Sequence, residues 1–445
     1  MSLFSNLRTS SSGLLVASTS MSVIGDNIAN VNTIGFKRGH ASFADSFPVD
    51  VSYVHGPISI GTGAYVGNTN SEFSQGAIQI SNNNLHLAIS GNGFFTVNDH
   101  TNDGTFYTRN GEFYLNNDGY IVSPGGLRLQ GYKAIDGALQ PSIGDLQVNM
   151  GDITAQSTSE VTLTANLDAD ADSTTTPLAS MSLNGSTETI AEVAAASDFS
   201  TSVSVYDTLG DKHEFTLAYE KTGTNTWTCY VVTDGGDIYD QSSGATLDSG
   251  QAFKIASIDL TFDTDGSLIN FAQTNVSATS PWNFLGAADM DFTFNFGLDA
   301  SGNAADGAVT QFSSNSTVTS IDQDGYGVGH LTSLQVETDG TVKGVYDNGQ
   351  DITIGQVVIA SFDSTSGLER MGGNLFRATR IPGEPSYGVA NQGGRGDIFG
   401  SSLEASNVDI EDEFVSMITA QRSYQANSRV MSATNELLRE LVNLV

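Results

Sequence analysis

Apolar side chains recur at helical spacing near both ends of the chain. They alternate at intervals of four and three residues near the N-terminus and recur every seven residues near the C-terminus. Either spacing places side chains along one face of an α-helix. The positions are Leu3, Leu7, Ser10, Leu14, Ala17, Met21, Ile24, Ile28 and Val31 in the first segment, where only Ser10 is polar, and Met417, Tyr424, Met431, Leu438 and Val445 in the last. We therefore predict a helical core domain built from residues 1–30 and 407–445.

The C-terminal helix carries a second heptad position that is largely polar. Its members are Phe414, Gln421, Ser428, Asn435 and Val442. Polar residues in a helical seam disfavour a simple two-stranded zipper and favour a packed array in which register is specified. The alternative is that the two terminal helices pack on each other within one chain. Such a hairpin covers only part of each apolar stripe, so the pattern favours a ring of neighbouring copies.

Between the helices, the chain shows the alternation that is typical of β-strands. Residues 31–72 are rich in Gly and Ser and predict an extended connector. From residue 73 onward, short alternating runs are separated by Asn-Gly and Asp-Gly pairs, which indicate hairpin turns. We predict one β-domain from residues 73–148 and 326–400, and a second from residues 149–325, inserted in the first. The predicted fold class is mainly β, in a discontinuous multidomain chain with helical termini.

The middle of the chain shows the clearest alternation and contains the single cysteine. Three successive strands are predicted from the apolar positions Val203 and Val205, then Phe215, Leu217 and Tyr219, then Trp227, Cys229 and Val231. Because Cys229 falls on the apolar face of its strand, we expect a buried and unreactive thiol.

Negative charge is concentrated in this middle segment. The chain has 50 acidic and 17 basic residues, for a formal net charge of -33. Residues 151–325 hold 25 of the acidic residues against three lysines. We expect this segment to be well solvated and outermost. The excess of negative charge repels nucleic acid, which is therefore not an expected partner.

Residues that could carry chemistry are scattered. The six histidines do not form the i, i+4 pair of a helical zinc site, and no nucleophile, acid or base has a recognisable setting. Asp-rich segments 168–172, 263–266 and 322–325 faintly resemble calcium loops without the closing Glu. The tripeptide 395–397 matches a short attachment motif by chance. We assign no catalytic, cofactor-binding or metal-binding residue and no small-molecule substrate, and expect the chain not to be an enzyme.

Several segments resemble the bacterial flagellar rod and hook proteins. The N-terminal signature spans residues 21–38, and the C-terminal signature spans residues 403–409 and 420–427. Further matches lie at residues 91–95, 107–111, 117–119, 131–132, 206–210, 226–227, 340–344 and 346–349. The motif residues carried over from the family are Asn27, Asn30, Gly35, Phe36, Asn407, Gln421 and Asn427. The large middle insertion favours a subunit of the hook type over the shorter rod type.

The resemblance implies a structural subunit that polymerises with itself. It implies a flexible tube, acting as a universal joint between rod and filament, with coiled-coil-like helical termini around an export channel. Rod, hook-cap and hook-filament junction proteins are the implied partners. The implied location is the extracellular hook and the basal body, after type III export without a cleaved signal peptide. A distal rod protein is the alternative within the family, and a secreted calcium-binding or adhesive surface protein is the alternative outside it.

Overall fold

In a computed structural model of the chain, the described residues are 3–53, 56–102, 104–135, 137–172, 178–240, 245–275, 282–288, 290–298, 307–379 and 383–443. The chain forms two compact units. Unit 1 comprises Met1–Met150, Thr332–Val345 and Asp351–Val445, and unit 2 comprises Gly151–Leu331 and Tyr346–Gln350. Both are built mainly from β-strands, with long helices at the two ends of the chain, which confirms the predicted mainly β class with helical termini. Within the described residues, no helix has the length and apolar character to span a membrane.

The elements follow one another along the chain in three groups. The first group is α1 Leu3–Ala29, β1 Gly39–Asp45, β2 Val49–Tyr53, β3 Gly56–Ile60, β4 Ala64–Ser71, β5 Ile78–Ile80, β6 Leu87–Ser90, β7 Phe94–Asp99, β8 Gly104–Thr108, β9 Tyr114–Leu115, β10 Ile121–Val122, β11 Arg128–Ile135 and β12 Ala138–Asp145. The second is β13 Glu160–Asp168, β14 Asn184–Thr189, α2 Ile190–Ala196, β15 Phe199–Tyr206, β16 Lys212–Gly223, β17 Thr226–Asp234, β18 Ile238–Asp240, β19 Ala245–Thr246, β20 Gln251–Phe262, β21 Leu268–Asn275, β22 Trp282–Phe284, β23 Thr293–Asn295, β24 Thr310–Phe312 and β25 Thr317–Gln323. The third is β26 Leu331–Val336, β27 Thr341–Tyr346, β28 Asp351–Val357, β29 Ile359–Ser361, β30 Leu368–Gly372, β31 Leu375–Ala378, β32 Ser386–Gly388, β33 Asp397–Gly400, β34 Ser402–Glu404 and α3 Ile410–Asn443. Short 3-10 turns span Leu178–Ser180, Gly235–Asp237 and Thr365–Gly367.

A large sheet forms the body of unit 1. Its strands follow the order β26-β27-β28-β11-β7-β8-β31-β30, with β9, β10, β12, β29 and β32 paired alongside. One part of its core is aromatic, because the rings of Phe94 and Phe376 each lie 5.1 Å from the ring of Phe73. After this sheet, β33 pairs with β6 and β34 pairs with β5. These two pairings bring the segment before α3 back against residues 78–90.

The segment predicted as an extended connector forms a regular β-ribbon. Strands β1 and β4 pair antiparallel from Gly39↔Ser71 to Asp45↔Ala64, and β2 pairs with β3 beyond them. The ribbon contacts α1, and the Ala64 amide donates a hydrogen bond of 3.2 Å to the Ser12 hydroxyl. Backbone pairing between its two arms therefore supplies order that the Gly and Ser content does not indicate.

Unit 2 has the strand pattern that the middle of the sequence predicts. Strands β15, β16 and β17 pair antiparallel in succession, and the predicted apolar residues on them are all buried. They join one core with the neighbouring sheet that contains β13. Cys229 lies within this core, and burial raises the pKa of its thiol to about 12. The thiol is therefore protonated at neutral pH, as expected for an unreactive cysteine.

Candidate assembly site

The terminal helices α1 and α3 pack against each other, antiparallel, within one chain. Gly13 of α1 lies opposite Asn427 of α3, and Asn27 lies opposite Glu413. A Cβ added at Gly13 would lie 2.7 Å from Nδ2 of Asn427, so glycine lets that side chain approach the α1 backbone. Packing within the chain, the alternative to a ring of copies, is therefore present in the structure.

The predicted helical faces are only partly covered by this packing. Ile24 is buried, whereas Tyr424 is 40% exposed. Leu3 begins α1, but its side chain lies outside the described residues. The predicted positions that are half-buried are Leu7, Leu14, Met21, Ile28, Met417, Met431 and Leu438.

The second heptad position predicted on α3 for an array of copies does not contact α1 within the chain. Phe414, Gln421, Ser428 and Asn435 are exposed, and the side chain of Val442 lies outside the described residues. The contact instead uses the positions one residue earlier, which are Glu413, Ala420, Asn427 and Thr434. Both series flank the Met417 heptad at helical spacing, so periodicity allows either. Apolarity favoured Phe414, whereas the contact is made largely by polar and small side chains.

The exposed side of α3 carries large apolar side chains. Phe414 is 50% exposed, Val415 63% and Leu437 53%. Among the described side chains of this helix, the exposed large apolar ones are Ile410, Phe414, Val415, Ile418, Tyr424, Val430 and Leu437. Because α1 covers the opposite stripe, these residues form a surface that a further helix could cover.

A buried polar group joins the two helices to the ribbon. Asn27 is 1% exposed, accepts a hydrogen bond of 2.8 Å from the Gly39 amide, and donates to the Gly39 carbonyl and to Oε1 of Glu413. The same carboxylate oxygen lies 2.6 Å from Nε of Arg38. The family-motif residue Asn27 therefore fixes where α1, α3 and β1 meet.

Asn407 ties the segment before α3 to the start of the ribbon. Its side-chain oxygen accepts a hydrogen bond of 2.7 Å from the Arg38 amide, and its amide group donates to the carbonyls of Glu72 and Ser74. Asparagine supplies both the donor and the acceptor that this position needs.

Gly35, Phe36 and Asn30 shape the turn after α1. Gly35 has φ +68, and a Cβ there would lie 2.5 Å from the Asn110 amide nitrogen, so the turn requires glycine. Phe36 is 2% exposed and packs beneath the guanidinium of Arg370. Asn30 donates a hydrogen bond of 2.9 Å to the Asp26 carbonyl at the end of α1.

A fully buried ion network lies beside this turn, and sequence reasoning missed it. Glu404 accepts hydrogen bonds from Nζ of Lys37 at 2.6 Å, from the Gly76 amide at 2.9 Å and from Arg109 at 3.2 Å. Burial lowers the pKa of Lys37 and of Arg109, and the charge of Glu404 opposes both shifts. Lys37, Arg109 and Glu404 each fall inside a segment that resembles the family, which was the available signal.

The segments that resemble calcium or attachment motifs have structural roles instead. The Asp324 carboxylate accepts hydrogen bonds from the Ser159 amide and hydroxyl. Arg395 donates to the Gln392 carbonyl and the Ser386 hydroxyl of its own chain. Across the described part of the chain, no group of three or more His, Cys, Asp or Glu side chains is arranged to hold a metal ion.

Four family models match the chain in order. Residues 7–37 match the flagella basal body rod protein model, and residues 88–173 match the flagellar hook protein FlgE/F/G D1 domain. Residues 166–326 match the flagellar basal body protein FlaE D2 domain, and residues 400–444 match the flagellar basal body rod FlgEFG protein C-terminal model.

Relatives match over nearly the whole chain. The flagellar hook protein FlgE of Escherichia coli K12 is 34% identical over 433 residues, which covers 97% of this chain and 98% of the relative. FlgE of Borreliella burgdorferi is 33% identical over 453 residues with the same coverage. The chain belongs to the flagellar hook protein family. This family is structural and is not an enzyme family.

The fold of this hook protein also resembles a solved structure. The crystal structure of the Helicobacter pylori flagellar hook protein FlgE2 aligns with a TM-score of 0.51 at 14% identity. The alignment covers 74% of this chain and 100% of the Helicobacter pylori chain. At this identity the likeness concerns the fold alone. The two terminal family models include Asn27, Gly35, Glu404 and Asn407. The residues that join the termini in this hook protein therefore lie within the matched segments.

Proposed function

We propose that this hook protein polymerises into a hollow, flexible tube whose inner wall is built from α1 and α3. The observation that carries the proposal is the exposed apolar surface of α3, where Phe414 is 50% and Val415 63% exposed. Such a surface is costly in water unless a partner covers it. The membership of the chain in a flagellar hook family makes further copies of the same chain the natural partners.

The exposed residues lie on both flanks of the stripe that faces α1. At about 100° of rotation per residue, Ile410 and Phe414 fall on one flank, and Val430 and Leu437 fall on the other. A copy with apolar contacts on two different flanks makes a heterologous interface, which propagates around a ring or along a helix. This placement supports a tube better than an isolated dimer.

The energetics also favour many contacts over one. Burying a large apolar side chain contributes roughly 1.5–3 kcal/mol, whereas association costs an estimated 4–15 kcal/mol. One contact through two or three such side chains does not reliably exceed that cost. A copy with several neighbours exceeds it, so assembly should be cooperative and should require a critical concentration.

The remaining features are proposed from the family resemblance. In this layout, residues 1–30 and 407–445 form a coiled-coil-like inner core around the export channel, and residues 31–72 connect it to the β-domain of residues 73–148 and 326–400. Residues 149–325 lie outermost. Their negative charge disfavours tight locking of neighbouring copies, which suits a universal joint that must slide while it bends. The tube would connect rod and filament, with rod, hook-cap and junction proteins as partners, after export without a cleaved signal peptide.

Deletion of residues 409–445 tests the role of α3. The deletion removes the apolar surface but retains Glu404 and Asn407. We expect polymerisation to be abolished, as measured by sedimentation and electron microscopy, while unit 2 keeps its cooperative melting. Tubes formed by the truncated chain would contradict the proposal, and so would loss of cooperative melting in unit 2.

A further inference from the structure

A cavity lies where α1, α3 and β1 meet, and Glu413, which has one carboxylate oxygen without a hydrogen-bond partner among the described residues, is among its lining residues. The cavity has a volume of about 500 Å³, and its lining includes Asn27, Arg38, His40, Phe43 and Glu413. This volume is more than ten times the ~30 Å³ that a water molecule takes in the liquid, so a whole side chain fits. We call it the Glu413 cavity.

Glu413 is 1% exposed, and only one of its two carboxylate oxygens is used. Oε1 lies 2.6 Å from Nε of Arg38 and accepts a hydrogen bond of 3.2 Å from Asn27. Oε2 has no hydrogen-bond partner within the described part of the chain. A buried carboxylate oxygen left unpaired is costly, so its position calls for a donor.

The charge around the cavity identifies the donor as a cation. The exposed side chains of Asp409, Glu411 and Asp412 belong to the same turn of α3 as Glu413. Arg38 already neutralises Glu413, so these three exposed acidic residues leave an excess of negative charge at this end of the helix pair. A guanidinium suits such a site, because its planar donors bind carboxylate oxygens with charge assistance.

The other half of the same helix pair carries cations without matching acids. Residues 3–25 of α1 contain Arg8 and no acidic residue, and residues 414–435 of α3 contain Arg422 and Arg429 and no acidic residue. Arg439 follows in the last turns, where Glu436 and Glu440 flank it. All four arginines are exposed, and among the described residues none of them forms an ion pair. In a chain of net charge -33, this half of the helix pair is exceptional because its basic residues outnumber its acidic residues.

The acidic and basic halves of one copy's helix pair are therefore complementary in charge, but they are too far apart to meet within that copy. Antiparallel packing places Glu413 opposite Asn27 and places Arg429 beyond the Asn427 to Gly13 contact, several helical turns away. Long-range repulsion between copies of this charge is screened within about 8 Å at physiological salt, so close local complementarity can orient them.

We propose that the Glu413 cavity binds an arginine side chain from the basic half of a second copy's helix pair. The guanidinium donates to Oε2 of Glu413, which is buried in the unassembled chain and becomes accessible when the Glu413 side chain turns towards the cavity, and the exposed Asp409, Glu411 and Asp412 add negative charge nearby. The contact sets the register of one copy on the next, while the apolar flanks of α3 supply most of the affinity. This inference rests on the proposed polymerisation and adds the side chain that specifies it.

Filling the cavity within the chain tests the inference. Ser416 lines the cavity one helical turn after Glu413, so Ser416→Arg brings a guanidinium to Oε2 in the same copy. We expect an unchanged or higher melting temperature and a critical concentration for assembly raised at least tenfold. Ser142→Arg adds the same charge at an exposed position of β12, outside the helix pair and not among the cavity residues, and it should change the critical concentration less than threefold.

Neutralising the arginines tests the inference from the opposite side. The variants Arg8→Gln, Arg422→Gln, Arg429→Gln and Arg439→Gln alter exposed side chains, so each should fold normally. We expect at least one of them to raise the critical concentration tenfold or more. If all four assemble like the unmodified chain, or if Ser416→Arg folds and assembles normally, the cavity proposal is overturned while the polymer remains. If the unmodified chain forms no polymer, both proposals fall.

Discussion

Glu404 is a fully buried carboxylate that balances two buried cations. Its side chain and that of Lys37 have no exposed surface, and Arg109 is 3% exposed. The three residues come from the turn after α1, the large sheet and the segment before α3. Because an unpaired charge in the interior is strongly destabilising, this network makes the terminal segments and the sheet dependent on one another.

We predict that Glu404→Ala lowers the free energy of unfolding of unit 1 by about 3–5 kcal/mol, because two cations lose their buried partner. Urea unfolding of the unassembled chain measures this change. Glu369→Ala is the matched control, since Glu369 and Arg377 form an ion pair in which both side chains are 52% exposed. That change should cost less than about 1 kcal/mol. Equal effects of the two variants would show that the buried network has no special role.

His330 gives unit 2 a dependence on pH. The ring Nδ1 lies 2.5 Å from the Asp152 carboxylate, and this hydrogen bond raises the pKa of His330. Since the folded state favours the protonated ring, the stabilisation is present below the unfolded pKa of about 6.5 and is lost as pH rises through the higher folded value. We expect the urea midpoint of unit 2 to fall with increasing pH above about 6.5.

Asp152→Asn provides the control for this pH dependence. It removes the charge and the acceptor carboxylate, so the pKa of His330 should move back towards its ordinary value in an NMR titration. The pH dependence above 6.5 should weaken with it. An unchanged His330 titration in Asp152→Asn would refute the assigned cause.

At the scale of elements, α3 has two faces with different roles. The face towards α1 holds the helix in the chain through Ala420 and Thr434, which are buried. The remaining surface of the helix leaves Phe414 and Leu437, on opposite flanks of that contact, half-exposed. A substitution on the second face should therefore affect assembly without affecting the fold of the single chain.

We predict that Phe414→Asp abolishes assembly while leaving thermal unfolding of the unassembled chain unchanged, because the new charge lies on a face that is solvated until a neighbour covers it. Met431→Asp and Leu14→Asp should block assembly and also destabilise the helix pair, since both side chains are half-buried. Sedimentation and circular dichroism separate the two effects. If Phe414→Asp formed normal tubes, this face of α3 would not belong to the interface between copies.

The sequence predicted some elements far better than others, for physical reasons. Alternation predicted β15–β17 because their apolar positions face one core. The series that contacts α1, Glu413, Ala420, Asn427 and Thr434, was not predicted because it lacks the large apolar side chains that mark a helical stripe. The network of Glu404 was missed because charged side chains are rarely buried unless paired, and pairing across 367 positions leaves no local signal. The ribbon of β1 and β4 depends on backbone pairing, which composition does not encode.

At the scale of the whole molecule, charge and apolar surface are separated along the chain. Unit 2 carries most of the excess negative charge, whereas the helix pair carries the apolar surface and the unpaired arginines. Adhesion near the helices and repulsion between the β units would allow copies to hold together and still slide. This separation is the physical basis for proposing a flexible tube rather than a rigid rod.

Electron microscopy of polymers grown from the purified full-length chain tests this account most directly. We predict hollow tubes that adopt a range of curvatures, with helical density lining the lumen and the acidic β unit at the outer surface. Tubes that are all straight would indicate a rod-like subunit instead. Tubes with α1 and α3 at the outer surface, or only solid or amorphous assemblies, would contradict the central claim that the terminal helices build the inner wall.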